Sequence, residues 1–153
     1  MAMHRGDVPR VVLLGAESTG TTTLTADLAR VLGAPSTHEA LRDVCERKAA
    51  EHGGAFFDVV WHSQDFDEVA DRQDRLEADA LDAWEPSESE GRPLAHLAPL
   101  LICDTDALAT ALWHRRYVGG TPQRFLDRAA ADPPLLYVLT SPDGVAFEQD
   151  GWR

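Results

Sequence analysis

The sequence predicts an α/β fold in which a mostly parallel sheet carries helices on both faces. Three observations predict it. Residues 11–15, 99–103 and 135–139 are short runs that are apolar without alternation, as strands covered on both sides are. Segments with apolar residues at helical spacing lie between them. Gly15 onward, Asp104 and Ser141 follow the runs, at the carboxyl ends of strands where ligands sit in such folds.

In chain order, Val11 to Leu14 form the first strand and run into Gly15. Leu24, Leu28, Val31 and Leu32 mark a helix that Gly33 can cap. Residues 35–38 are a short connection that ends a second strand. Leu41, Val44, Cys45 and Lys48 mark the next helix, closed by His52, Gly53 and Gly54. A long helix is expected from about Asp65, with Asp65 and Glu68 at capping-box spacing. Phe66, Val69, Gln73, Leu76, Ala80 and Trp84 follow one face of it. Residues 85–93, with Pro86, Gly91 and Pro93, form a surface loop. After the strand at 99–103, residues 107–117 are helical and stop at Gly119 and Gly120. Thr121 and Pro122 start another helix as N-cap and first residue.

The 153 residues suffice for one domain with its own core. A net charge of −12 argues against a general nucleic-acid or anionic-membrane binder, which needs a basic face. It does not exclude a phosphate ligand, which a local cradle of amides can hold. Cys45 and Cys103 have no metal-ligand spacing and are expected as reduced thiols. No apolar run approaches the roughly 20 residues of a membrane span. The first ten residues lack a secretory signal, so the expected location is the cytoplasm.

The segment GAESTGTTT, residues 15–23, nearly matches G-x-x-x-x-G-K-[ST], the phosphate-binding loop between a strand and a helix. Gly15, Glu17, Ser18, Thr19, Gly20, Thr21, Thr22 and Thr23 are therefore candidate nucleotide-binding residues. Thr22 stands where the hydroxyl that holds Mg²⁺ belongs. Thr21 stands where the pattern has lysine. A plain glycine-rich turn is the alternative reading of the same residues. Lys48 is the only lysine of the chain, a bias that explains a Lys→Arg exchange but not a threonine.

A cation about 4 Å from a phosphate charge is worth about 4 kcal/mol at an effective dielectric near 20. In a transition state that is on the order of a thousandfold in rate. Catalysis therefore needs a substitute, for which Arg42 and Arg153 are candidates. Binding tolerates the loss better, since amides and Mg²⁺ remain.

Asp104 ends an apolar strand and is a candidate Mg²⁺ ligand together with Thr22. Asp106 can accept a proton from an acceptor hydroxyl, or it or Thr105 can simply cap the next helix. His38 beside Glu39 is either a catalytic pair or ordinary polar surface. Trp61, Phe66, Trp84 and Trp113 pack in or against the core, with Trp61 open to a role in stacking on a substrate. Arg115 and Arg116 complement a helix dipole. No spacing suggests structural zinc or a Ser-His-Asp triad.

Four segments in order resemble the NadR-type P-loop kinases, the ribosylnicotinamide kinase domains, and related small AAA-like bacterial ATPases. They are GAESTGTTTL (15–24), THEALRDV (37–44), ICDTDALATALWHRRYVG (102–119) and LYVLTSPDGVAFEQDGWR (136–153). The second is similar to the family's W-E-Y-G-R-E, the third to its I-D-T-D segment, the fourth to a strand ending in D-D-G-x-R. The resemblance implies a three-layer P-loop NTPase-type fold over residues 1–153, without the helix, strand and helix that follow in the family. The chain is then a fragment or a shortened product, with no adenylyltransferase domain of its own.

The resemblance also implies transfer of phosphate from ATP, with Mg²⁺, to the ribose 5′-hydroxyl of nicotinamide riboside, giving nicotinamide mononucleotide. Gly20 to Thr22 would face the phosphates. Glu39 and Arg42 would lie near the substrate. Asp104 and Asp106 would serve Mg²⁺ and the hydroxyl. Asp150 and Arg153 would belong to a lid. Thr21 departs from the family's lysine, and Ala40 and Leu41 depart from its tyrosine and glycine. A non-catalytic nucleotide or pyridine-nucleotide sensor and a partner-dependent ATPase are the competing expectations.

Overall fold

The computed structural model describes residues 5–51, 53, 59–85 and 100–146. Four strands, β1 (Arg10–Leu14), β2 (Ser36–Thr37), β3 (Leu101–Asp104) and β4 (Leu136–Leu139), form one sheet in the order β2-β3-β1-β4. Every neighbouring pair is parallel, as the unbroken apolar runs predict. The helices are α1 (Thr21–Leu32), α2 (Ala40–Glu51), α3 (Ser63–Asp82), α4 (Ala107–Tyr117) and α5 (Gln123–Ala131).

The sheet divides its side chains between two layers. Val11, Leu13 and Ile102 point to one face and meet Leu24 and Leu28 of α1. Val12, Leu101 and Cys103 point to the other and meet Ala80 and Leu81 of α3. A third cluster, including Leu41, Val44, Phe66, Val69, Ala111 and Phe125, joins α2 to α5 beyond the sheet. The observed architecture is thus the α/β, helix-on-both-faces fold of the P-loop type. Among the described residues, no helix is long and apolar enough to cross a membrane.

Several boundaries shift from the sequence reading, each for a local reason. β1 begins at Arg10, which apolar periodicity passes over, and ends at Leu14 rather than Gly15. Arg10 is 3 % exposed yet paired, with Glu77 at 3.3 Å and Asp132 at 3.1 Å. Burial opposes its charge, but Glu77 and Asp132 outweigh burial and raise its pKa above the ordinary arginine value. β3 extends to Asp104, and its residues 101–104 are all buried.

α3 starts at Ser63, because Asp65 works from the third helical position rather than as the cap. Its Oδ2 accepts the amide of His62 at 2.7 Å. The same oxygen receives Lys48 Nζ at 2.7 Å, tying α2 to α3. Burial works against the Asp65 charge, yet these two donors hold its pKa below the usual carboxylate value. α5 is preceded by Pro122 as its cap, so Thr121 lies one residue further out than expected. α1 ends as predicted, with Gly33 at φ 66° donating to Ala29 O. The predicted roles of His52, Gly54, Pro86, Gly91, Pro93 and Pro99 fall outside the described residues.

Candidate phosphate and metal site

Because β1, β3 and β4 run parallel, they bring three segments to one edge of the sheet. Leu13 lies opposite Asp104, and Leu14 opposite Leu139, so residues after Leu14, Asp104 and Leu139 are neighbours there. The loop from β1 to α1 carries two left-handed residues, Ser18 at φ 58° and Gly20 at φ 81°. Gly20 caps α1 without any side-chain hydrogen bond, and the first turn holds no acidic residue. The leading amides of α1 thus face this loop with no side-chain cap from Gly20 and no carboxylate in their own turn. They add their partial charge to the positive end of the helix, which is the composition of an anion site.

Thr22 Oγ1 donates to Asp104 Oδ2 at 2.6 Å across the mouth of this loop. Asp104 is 1 % exposed, and its Oδ1 has no hydrogen-bond partner among the described residues. A buried carboxylate oxygen left open beside a threonine hydroxyl fits a hard divalent cation. Mg²⁺ takes one or two carboxylates and leaves its other positions to water and phosphate. Among the described residues, no group of three or more His, Cys, Asp or Glu is placed to hold a metal, and a site of this kind does not need one.

Asp106 serves several donors at once. Its Oδ1 accepts the amides of Leu108 at 2.9 Å and Ala109 at 3.4 Å, so it caps α4. Its Oδ2 accepts the phenol of Tyr137 at 2.7 Å. Burial, then the bond to Asp106, pushes the Tyr137 pKa well above the ordinary tyrosine value, so the phenol stays a donor. Between the two aspartates, Thr105 stands at φ 77°. That is a strained conformation for a β-branched residue, costing about 1–3 kcal/mol. Strained backbone thus occurs on both segments that meet here.

The remaining candidates scatter. Thr21 is half-buried, while Glu17 and Thr23 are exposed on the loop and first turn. Arg42 is exposed in the first turn of α2, which follows β2, so β3 stands between it and β1. Glu39 is buried just before α2. His38 pairs with Asp43 at 2.9 Å, not with Glu39 as its sequence neighbour suggested, and Arg72 shares that carboxylate at 2.9 Å. Trp61 lies 5.3 Å from Phe66 and 5.8 Å from Tyr117, with Lys48 Nζ 5.5 Å from its ring. It stands by the C-terminal end of α4, whereas Asp106 is at the N-terminal end. Asp150 and Arg153 lie outside the described residues.

Two residues without a sequence signal touch the candidate site. Tyr137 reaches Asp106, and Thr140 reaches Thr19 at 2.6 Å. Neither carries a local signal, since each partner comes from a distant part of the chain.

A profile described as an AAA domain matches residues 10–153. No curated protein matches the chain. Among solved structures, a crystal structure of NadR protein in complex with NR superposes with a TM-score of 0.61 at 19 % identity. The match covers 95 % of this chain and 36 % of that one. A crystal structure of NadR protein in complex with NAD and AMP-PNP gives 0.59 at 19 % identity, covering 93 % of this chain and 37 % of that one. The chain therefore spans little more than a third of the length of these structures, and at this identity the likeness is one of fold.

Proposed function

The chain belongs to the AAA domain family, and from that premise we propose that it is an ATP-dependent small-molecule kinase whose acceptor is nicotinamide riboside. The observation that carries the reading is the hydrogen bond of 2.6 Å from Thr22 to Asp104, at the uncapped start of α1. It joins a hydroxyl, a carboxylate with an open oxygen, and a row of amides at one point. Nucleotide phosphates and Mg²⁺ need that combination.

In this reading Gly15, Glu17, Ser18, Thr19, Gly20, Thr21, Thr22 and Thr23 form the phosphate loop. Thr22 and Asp104 hold Mg²⁺, which when bound offsets the charge on the phosphate oxygens. Asp106 orients the acceptor hydroxyl. Its Oδ2 already accepts one bond from Tyr137 and keeps a lone pair for a second. The hydroxyl oxygen bonds to the γ-phosphorus as the bridging P–O bond to the β-phosphate breaks. ADP leaves, and the hydroxyl proton passes to Asp106 and on to water. Arg42 and Arg153 supply phosphoryl charge compensation in place of a lysine. Glu39 and Arg42 line the acceptor side, and Trp61, at the far end of α4 from Asp106, is left out of it. The solved NadR complexes with NR, and with NAD and AMP-PNP, support this choice of ligands.

A second reading is favoured by Thr21 alone: a sensor that binds nucleotide and does not turn it over. Calorimetric titration with ATP, with and without Mg²⁺, followed by a nicotinamide riboside phosphorylation assay, decides. Mg²⁺-dependent stoichiometric binding with product formation supports the kinase. Binding without product supports the sensor. No binding by folded protein overturns both.

A further inference from the structure

We propose that Thr140, the residue after β4, is a positioning residue that holds the phosphate loop in shape where the lysine is missing. The inference rests on reading residues 15–23 as that loop.

The contacts form a relay of two hydroxyls between two carbonyls. Thr19 is 6 % exposed and turned into the loop, with Oγ1 2.7 Å from Ala16 O and 2.6 Å from Thr140 Oγ1. A threonine hydroxyl has a single proton. If Thr19 gives it to the Ala16 carbonyl, Thr140 donates to Thr19; if Thr140 gives its own to the Leu14 carbonyl, Thr19 donates to Thr140, and either way one bond joins the two hydroxyls. Each carbonyl also accepts an amide, Leu14 O from Thr140 at 2.9 Å and Ala16 O from Thr19 at 3.3 Å, so neither is left unmatched in either arrangement. The two hydroxyls thus link the Ala16 carbonyl to Thr140 and the Leu14 carbonyl. This link fastens the first residues of the loop to the edge strand.

Gly15 corroborates the closeness of this bracket. Its φ is not in the left-handed region, so backbone conformation does not demand glycine there. Space does. A Cβ at Gly15 would lie 1.9 Å from Thr140 Oγ1 and 2.4 Å from Thr19 Oγ1. The Thr21 methyl would be 3.1 Å from that Cβ, so the volume beside Gly15 is filled by three threonines. The bracket supplies shape but no charge. It preserves a cradle for phosphate while leaving transition-state charge to other groups.

The test compares Thr140→Val, which cannot donate, with Thr140→Ser, which can. Hydrogen exchange of the loop amides is read in ligand-free protein, and affinity is read by calorimetry with Mg²⁺ and AMP-PNP. The Val variant should exchange loop amides several-fold faster with β1 amides unchanged. It should bind the analogue roughly five- to tenfold more weakly, the worth of about one hydrogen bond. The Ser variant should restore both. Unchanged loop exchange in Thr140→Val overturns the bracket. If the unaltered protein binds no analogue, the nucleotide reading fails, and the exchange comparison still decides the bracket. Should Thr140→Val not fold, Thr19→Val removes the middle of the relay and must give the same faster exchange.

Discussion

Asp104→Asn should move stability and function in opposite directions. In the ligand-free chain Asp104 is a buried carboxylate with Oδ2 bonded to Thr22 and Oδ1 without a partner among the described residues. An unmatched buried polar group costs about 1–3 kcal/mol, and more when it is charged. Asparagine keeps the shape and the bond to Thr22 and still leaves one amide atom unmatched where Oδ1 was, but it removes the buried charge, the larger part of the cost, so relief of about 1–3 kcal/mol is expected. For a chain of 153 residues that is a rise of roughly 3–10 °C in melting temperature. The same change removes the anionic ligand for Mg²⁺, and magnesium-dependent nucleotide binding should fall by roughly a hundredfold or more. Thermal melts and calorimetry with and without Mg²⁺ measure the two effects on one preparation. A variant that melts lower than the parent, or that binds Mg²⁺-nucleotide unchanged, refutes the assignment of Asp104 as a site kept open for a cation.

Three further outcomes follow from the same geometry. Thr21→Lys restores the absent cation, and phosphoryl transfer should rise by roughly a hundred- to a thousandfold; a rate that does not change in a steady-state assay favours the sensor. Glu77→Gln leaves the buried Arg10 its ion pair with Asp132 but takes away the one with Glu77. It should cost about 3 kcal/mol in urea unfolding, and pairing it with Arg10→Met should recover most of that. His114 is buried, with Nε2 2.7 Å from Ser63 Oγ and Nδ1 unpartnered among the described residues. Burial, then Arg124, lowers its pKa against a smaller opposite pull from Asp67. The unfolded chain therefore binds the proton more readily. Stability should be full above the ordinary histidine pKa of 6.5 and decline as pH falls below it, and His114→Gln should flatten that decline.

The parts of the fold that were legible in the sequence are those with local causes. Val11 to Leu14 and Leu101 to Cys103 announce buried strands because no polar residue interrupts them. Gly33 announces a helix end because a left-handed cap favours glycine. Gly15 to Thr22 and Asp104 announce that they end strands at one sheet edge, where Thr22 meets Asp104, because loop and strand end each carry their own pattern. Arg10 was illegible because its burial depends on Glu77, which lies 67 residues away. Thr140 and Tyr137 were illegible for the same reason, since Thr140 meets Thr19 across 121 residues and Tyr137 meets Asp106 across 31. Of the two readings of His38, polar surface is the one that holds, because the turn into α2 carries its exposed ring to Asp43 rather than to Glu39.

The clamp between Lys48 and Asp65 also gives the chain a built-in reporter. Lys48 is the sole lysine, and it is 7 % exposed beneath Trp61. An amine-reactive reagent therefore has one side-chain target, and it reaches that target only when α2 and α3 part. The rate of acylation at Lys48 measures how often this helical pair opens, without any engineered label.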